Sequence, residues 1–191
     1  MLLGSHRRGV FGGVWLKVLL TGPPRVGKTT VVKRLVGLIR DQVALGGFLT
    51  EEIREHGQRV GFKIVTLDGE EAILAHRSFR SKYRVGPYGV NIEDLDRVGV
   101  ESLRRAMKNS RVVILDEIGK MECFSKVFVS TVFGLLASNL DMVATFPKRY
   151  NPLDNPEPLK KAEILVVTRE NRDELPRQLA SRILAKHGKP C

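Results

Sequence analysis

Apolar residues follow two rhythms along this chain. Short, nearly unbroken runs occur at residues 15–21 (WLKVLLT), 111–116 (RVVILD), 142–146 (MVATF) and 163–168 (EILVVT). Such runs, bounded by Gly, Pro or charge, read as strands buried in a sheet. The first is predicted to be a buried strand and the other three to be further central strands. Between them the spacing becomes helical. From residue 28 to 43 the apolar positions are Val32, Leu35, Val36, Ile39 and Val43, with Lys33, Arg34, Arg40 and Asp41 on the opposite side. Gly46-Gly47 is expected to stop this helix. Further helices are predicted over residues 100–108, from about 125 to 136, and after Asn171. Asn171 is placed to cap the last one, with Glu174 as capping-box partner and Pro176 near the first turn, where its missing N–H costs least.

A third pattern interrupts this alternation. Residues 48–53 and 59–67 are strand-like and joined through Glu55-His56-Gly57-Gln58, and the second alternates Val60, Phe62 and Ile64 with other residues. That pattern predicts a β-hairpin. Residues 72–76 can add a strand, and residues 77–90 (RSFRSKYRVGPYGV) read as a basic loop. Strands alternating with helices predict an α/β fold: a mostly parallel central sheet with helices on both faces, plus the β-hairpin insertion. Residues 1–13, rich in Gly and charge, are expected to be a flexible basic extension, leaving residues 14–191 as a single domain.

Composition alters this picture only in charge and cysteine. The 32 Lys plus Arg against 21 Asp plus Glu give a net charge of +11, which attracts anions such as nucleotides, nucleic acid or acidic lipid, or serves solubility alone. Cys123 and Cys191 lack ligand-like spacing, so a disulfide framework or zinc site is not expected and a cytoplasmic setting is. Arg7-Arg8 ahead of an apolar stretch imitates a twin-arginine export signal. Lys17 interrupts that stretch, no small-residue cleavage site follows, and cleavage there would remove the first strand. No stretch approaches the roughly 18 apolar residues of a membrane span.

The chemistry lies at the end of that first strand. Gly22-Pro23-Pro24-Arg25-Val26-Gly27-Lys28-Thr29 matches G-x-x-x-x-G-K-[ST], between a buried strand and an amphipathic helix. In this P-loop, backbone N–H groups and the helix N-terminus would surround phosphate oxygens. Lys28 would reach the β- and γ-phosphates, the Thr29 hydroxyl would ligate Mg²⁺, and Thr30 would lie by the α-phosphate. Arg25 stands where many such loops have Gly, so its side chain is expected to point away from the cradle.

The strand over residues 111–116 carries a second signal. An Asp at the C-terminal end of a buried parallel strand lands beside the P-loop. Asp116 is therefore the expected Mg²⁺ partner, and Glu117 the candidate for polarising an attacking water. Ile118 and Gly119 follow them into the nucleotide site. Lys120, Lys148 and Arg149 are candidate cations for the transferring phosphoryl group, and Thr145 a candidate γ-phosphate sensor, although a surface charge or a packed Thr accounts for each more simply. The aromatic residues of the basic loop, Phe79, Tyr83 and Tyr88, allow base stacking in principle, but core anchoring is the simpler reading.

Five segments, GPPRVGKTT, GGFLTEEIREHGQRVGFKIVTLDG, VGPYGVNIEDLDRVGV, VVILDEIGKME and VTRENRDELP, occur in this order. Together they resemble the small P-loop nucleoside-triphosphatases described in thermophiles, also called the cancer-related nucleoside-triphosphatase family. The resemblance runs from about residue 15 to the end. It implies a RecA-like P-loop fold and Mg²⁺-dependent hydrolysis of ATP, GTP, CTP and UTP with weak base selectivity, the phosphates at residues 22–29 and the metal and water at Asp116 and Glu117. Two other readings stay open: a small nucleotide or metabolite kinase, and an NTP-driven switch that contacts nucleic acid or protein. The residues leave the oligomeric state open.

Overall fold

The computed structural model describes residues 15–148, 153 and 157–187. The expected N-terminal extension, Arg149 and Cys191 lie outside the described residues. Among the described residues, nine strands form one sheet in the order β5-β6-β4-β3-β2-β7-β8-β1-β9. Its parallel half comprises the first part of β2 (Leu45–Glu55), β7 (Val112–Leu115), β8 (Asp141–Thr145), β1 (Lys17–Thr21) and β9 (Glu163–Val166). The remaining strands are antiparallel: β3 (Gln58–Thr66), β4 (Glu71–His76), β5 (Arg84–Val85) and β6 (Tyr88–Val90). The predicted hairpin is therefore continuous with the main sheet. β2 pairs in parallel with β7 as far as Phe48, and antiparallel with β3 from Phe48 onward.

Helices cover both faces, which explains why the central strands read as unbroken apolar runs. Val18 and Leu20 pack with Val32, Leu35 and Ile39 of α1 (Lys28–Ile39) and with Leu179 and Ile183 of α5 (Leu175–His187). Leu19 points the other way. It joins Leu103 of α3 (Glu101–Asn109) and Phe128 and Val132 of α4 (Lys126–Ala137). Before α3, a helical turn α2 (Ile92–Asp94) and a π-helical stretch (Leu95–Val100) start the helix earlier than the apolar spacing predicted. Asn91 starts it by accepting a hydrogen bond from the Asp94 amide, and Ser125 caps α4 through the Phe128 amide.

Four expectations change. α1 ends at Ile39, well before Gly46-Gly47, which lie inside β2. Gly47 has φ 107°, and a Cβ there would sit 2.0 Å from the Ile114 carbonyl oxygen, so the residue permits pairing with β7. The strand at Glu163–Val166 is an edge strand with Ile164 and Val166 exposed, so its apolar run does not mark a central position. Asn171 does not cap α5 with its side chain: its Oδ1 accepts from the Thr168 amide and its Nδ2 donates to the Val166 carbonyl, fastening the loop after β9. The basic loop holds the short β5–β6 hairpin, and the Arg59 and Arg77 guanidinium groups lie over the Tyr88 ring.

Lys17, the charge within the first run, is buried. Its ammonium donates to the Leu135 and Leu140 carbonyls at the end of α4. Burial lowers its pKa to about 8, against the opposing pull of Asp141. Among the described residues, no helix is long and apolar enough to cross a membrane.

Candidate active site

The C-terminal ends of β1, β8 and β7 lie side by side, with Leu20 opposite Thr145 and Leu115 opposite Ala144. The segments that leave these strands are thereby brought to one edge of the sheet. After β1 the chain turns through Gly22 (φ 156°), where a Cβ would lie 2.7 Å from the Val167 carbonyl oxygen. The loop closes through Val26 N–H to the Pro23 carbonyl at 3.3 Å, and Gly27 is the N-cap of α1. The Lys28 ammonium lies across the mouth of the loop, 3.4 Å from the Gly22 carbonyl oxygen. Arg25 adopts φ 63° and is exposed, as expected of a side chain directed out of the cradle. A left-handed conformation costs a non-glycine residue about 1–2 kcal/mol, which accounts for the usual Gly there.

β7 delivers Asp116 and Glu117, joined by a cis peptide bond. Asp116 is only 1% exposed. The Thr145 hydroxyl donates to its Oδ1, and the Thr50 hydroxyl, from β2, donates to its backbone carbonyl at 2.6 Å. Oδ2 is buried with no hydrogen-bond partner among the described residues. Burial pushes the Asp116 carboxyl above the usual range, opposed by the hydroxyls of Thr145 and Thr29 and by the charges of Lys28 and Lys33. Glu117 is also pushed up, by burial and then by the Asp116 charge, with Lys28 opposing. A buried carboxylate oxygen without a hydrogen-bond partner, together with the Thr29 hydroxyl, offers oxygen ligands suited to a hard divalent cation, and the charges of Lys28 and Lys33 favour the carboxylate form.

The other expected residues fall around this centre. Thr29 and Thr30 occupy the first turn of α1. Ile118 is buried, and its amide donates to the Thr145 carbonyl at 2.9 Å. Gly119 sits between two carboxylates: a Cβ on it would be 2.8 Å from Glu117 Oε1 and 2.7 Å from Glu122 Oε2. Thr145 turns its hydroxyl to Asp116, and Lys120 and Lys148 are exposed.

The apolar pattern did not single out three residues at the site. Thr50 belongs to the hairpin strand and reaches Asp116 only because β2 neighbours β7. Glu122 is buried, and burial together with the Glu117 charge raises its pKa to about 8. Arg172 donates to the Val26 carbonyl of the loop across 146 residues of sequence. The one available signal was that all three fall within the segments shared with the nucleoside-triphosphatases.

A family model described as NTPase matches residues 17–180, the span that carries the loop, the Asp116-Glu117 corner and the sheet. The chain belongs to that nucleoside-triphosphatase family. Nucleoside-triphosphatase THEP1 of a Thermotoga species (strain RQ2) is 46% identical over 169 residues, covering 87% of this chain and 94% of the relative. The THEP1 of Methanocaldococcus jannaschii is 40% identical over 173 residues, covering 89% and 98%. Among solved structures, the crystal structure of THEP1 from the hyperthermophile Aquifex aeolicus superposes with a TM-score of 0.74 at 38% identity, covering 87% of this chain and 98% of that one. The solution structure of a human cancer-related nucleoside triphosphatase gives 0.77 at 33% identity, covering 90% and 98%. The nucleoside-triphosphatase family thus supplies the P-loop fold seen here, with β8 between the strand ahead of the loop and the strand that carries Asp116.

Proposed function

We propose that this chain is a Mg²⁺-dependent nucleoside-triphosphate phosphohydrolase, converting NTP and water to NDP and phosphate with broad base specificity. The observation that carries the reading is the buried, partnerless Oδ2 of Asp116, set beside Thr29, Lys28 and Glu117. The names of the THEP1 relatives and the retained G-x-x-x-x-G-K-T loop support it.

In this reading the loop amides and Lys28 hold the β- and γ-phosphates, and Thr29 and Asp116 hold the metal. Bound Mg²⁺ would neutralise charge developing on the phosphoryl oxygens. Thr145 keeps Asp116 oriented. Glu117 orients the attacking water and accepts its proton as the new P–O bond forms and the bond to the bridging oxygen breaks. Burial holds both carboxyl groups high, the Asp116 charge adds to this at Glu117, and a divalent cation would favour their charged forms. A cytoplasmic setting accords with this reaction.

Turnover of ATP, GTP, CTP and UTP with Mg²⁺ and no acceptor is the test. Glu117→Gln is expected to lose at least about 100-fold in kcat while still binding nucleotide, and Lys28→Ala to lose both. Chelation of divalent cations is expected to stop turnover. Robust hydrolysis by Glu117→Gln, or phosphoryl transfer to a nucleoside monophosphate in place of water, would overturn the reading.

A further inference from the structure

Asp116 and Glu117 leave β7 together but are held differently. The Thr145 hydroxyl fixes the Asp116 carboxylate. Among the described residues no hydrogen bond holds the Glu117 side chain, and only burial and the charges of Asp116 and Lys28 act on it. A glutamate has three side-chain torsions, so without a fixed partner its carboxylate adopts several orientations. Orienting an attacking water needs one of them.

A second carboxyl lies against it. Glu122 is 3% exposed and opens the 3-10 turn Glu122–Phe124. The chain after Glu117 is folded back on itself. The Ile118 amide donates to the Thr145 carbonyl of β8, the Cys123 amide to the Gly119 carbonyl at 3.1 Å, and the Ser125 amide to the Glu122 carbonyl at 3.0 Å. Ser125 in turn caps α4. The two carboxyl groups therefore meet over Gly119. A Cβ on Gly119 would lie 2.8 Å from Glu117 Oε1 and 2.7 Å from Glu122 Oε2. Two oxygens that close to one point are joined by a small side-chain rotation or by a single bridging water. Gly119 is not left-handed, so its backbone does not demand glycine; the room between the carboxyl groups does.

We propose that Glu122 is a positioning residue for hydrolysis: as a carboxylic acid it donates a hydrogen bond to Glu117 Oε1 across Gly119, directly or through one water, and leaves Glu117 Oε2 to the attacking water. The proposal rests on the water-orienting role of Glu117 in the phosphohydrolase reading. An acid donating to a carboxylate makes one of the stronger hydrogen bonds available in a protein, and the site is shielded from solvent. The protonation this requires agrees with the surroundings. Burial and the charge of Glu117 hold the Glu122 pKa at about 8, against the backbone amides of Glu122 and Gly119. Glu122 keeps its own proton through the cycle, and the proton of the attacking water goes to Glu117. Thr145 does for Asp116 what Glu122 does for Glu117, so each carboxylate at the end of β7 has its own hold.

The test measures kcat and ATP affinity for the full chain with Mg²⁺. Glu122→Ala is expected to lower kcat about 10- to 100-fold and to leave ATP affinity within about twofold. Glu122→Gln keeps a donor of the same reach without a charge, and is expected to stay within about threefold of wild type. Gly119→Ala leaves both carboxyl groups in the protein and puts a methyl between them. The atoms it meets are the ends of flexible side chains, so it parts the pair without unfolding the chain, and carries the test if Glu122→Ala does not fold. It is expected to lower kcat about 10-fold or more. In a Glu117→Gln background, Glu122→Ala is expected to change the residual rate by less than about twofold, because the two residues act as one unit. A rate loss that multiplies in the double variant, or ATP affinity that falls with kcat, would show a merely structural role and overturn the proposal. So would Glu122→Gln as slow as Glu122→Ala, which would make the charge the active feature, or Gly119→Ala at the wild-type rate. Robust hydrolysis by Glu117→Gln would instead sink the water-orienting role on which the proposal rests; a dead Glu117→Gln beside fully active Glu122→Ala and Gly119→Ala would sink the proposal alone.

Discussion

Asp116 shows how much one buried oxygen can depend on its neighbours. Its Oδ1 is held by Thr145, its carbonyl by Thr50, and its Oδ2 by nothing within the described residues. Removing the Thr145 hydroxyl should let the carboxylate rotate. Thr145→Val is therefore expected to raise the Mg²⁺ concentration for half-maximal turnover by about 10–100-fold, read from a metal titration. An unchanged titration would mean that Thr145 does not orient the metal ligand. Glu122 makes a second prediction. Its pKa is raised to about 8, so the folded chain holds that proton more tightly than the unfolded chain does. Its contribution to stability is complete below the usual carboxylate range, and is lost as pH rises through about 8. Glu122→Gln should flatten this slope and make the protein more stable than wild type at pH 9. Denaturant melts at pH 5, 7 and 9 would check it, and parallel curves for the two proteins would refute it.

Among elements, two glycines separate local propensity from tertiary demand. Gly37 lies on the exposed side of α1 with no atom of the described residues within 4 Å of an added Cβ. Gly37→Ala should stabilise the protein by about 0.5–1 kcal/mol, because only helix propensity is at stake. At Gly47 the added Cβ would meet the Ile114 carbonyl oxygen at 2.0 Å. Gly47→Ala should cost more than about 3 kcal/mol, since β2 and β7 would have to part and the strand that carries Asp116 would shift with them. Thermal or urea melts of both variants decide the matter, and a tolerated Gly47→Ala would contradict the close approach. The edge strand β9 separates the same two influences. Its apolar residues face outward at Ile164 and Val166, so an apolar run predicted the strand and not its place in the sheet.

For the molecule as a whole, the net charge of +11 raised the prospect of nucleic-acid binding. Rings of the basic loop are engaged by nearby cations. Arg77 lies 5.9 Å from the Tyr88 ring centre and Lys82 5.0 Å from that of Tyr83, Arg59 of β3 also lies over Tyr88, and Tyr88 is buried. Rings already covered offer little stacking platform to single-stranded bases. Turnover is expected to change by less than about twofold when single-stranded RNA is added at physiological salt. Strong stimulation, falling steeply with salt, would instead favour the switch reading.

The glycine spacing of the loop, the apolar strand before it and the amphipathic helix after it are local features, so the sequence alone determined the strand–loop–helix of the P-loop. It also placed Asp116 and Glu117 at the end of a buried strand, because burial on both faces writes itself as an unbroken apolar run. Strand order is not local. That β8 lies between β1 and β7, that β2 brings Thr50 to Asp116, and that Arg172 reaches the Val26 carbonyl are consequences of packing between segments far apart in the chain. Such contacts depend on which faces meet, and a one-dimensional pattern of apolar and polar residues shows only that faces exist. The phosphate cradle was legible for that reason, and the contacts that orient Asp116 and fasten the loop emerged only from the tertiary structure.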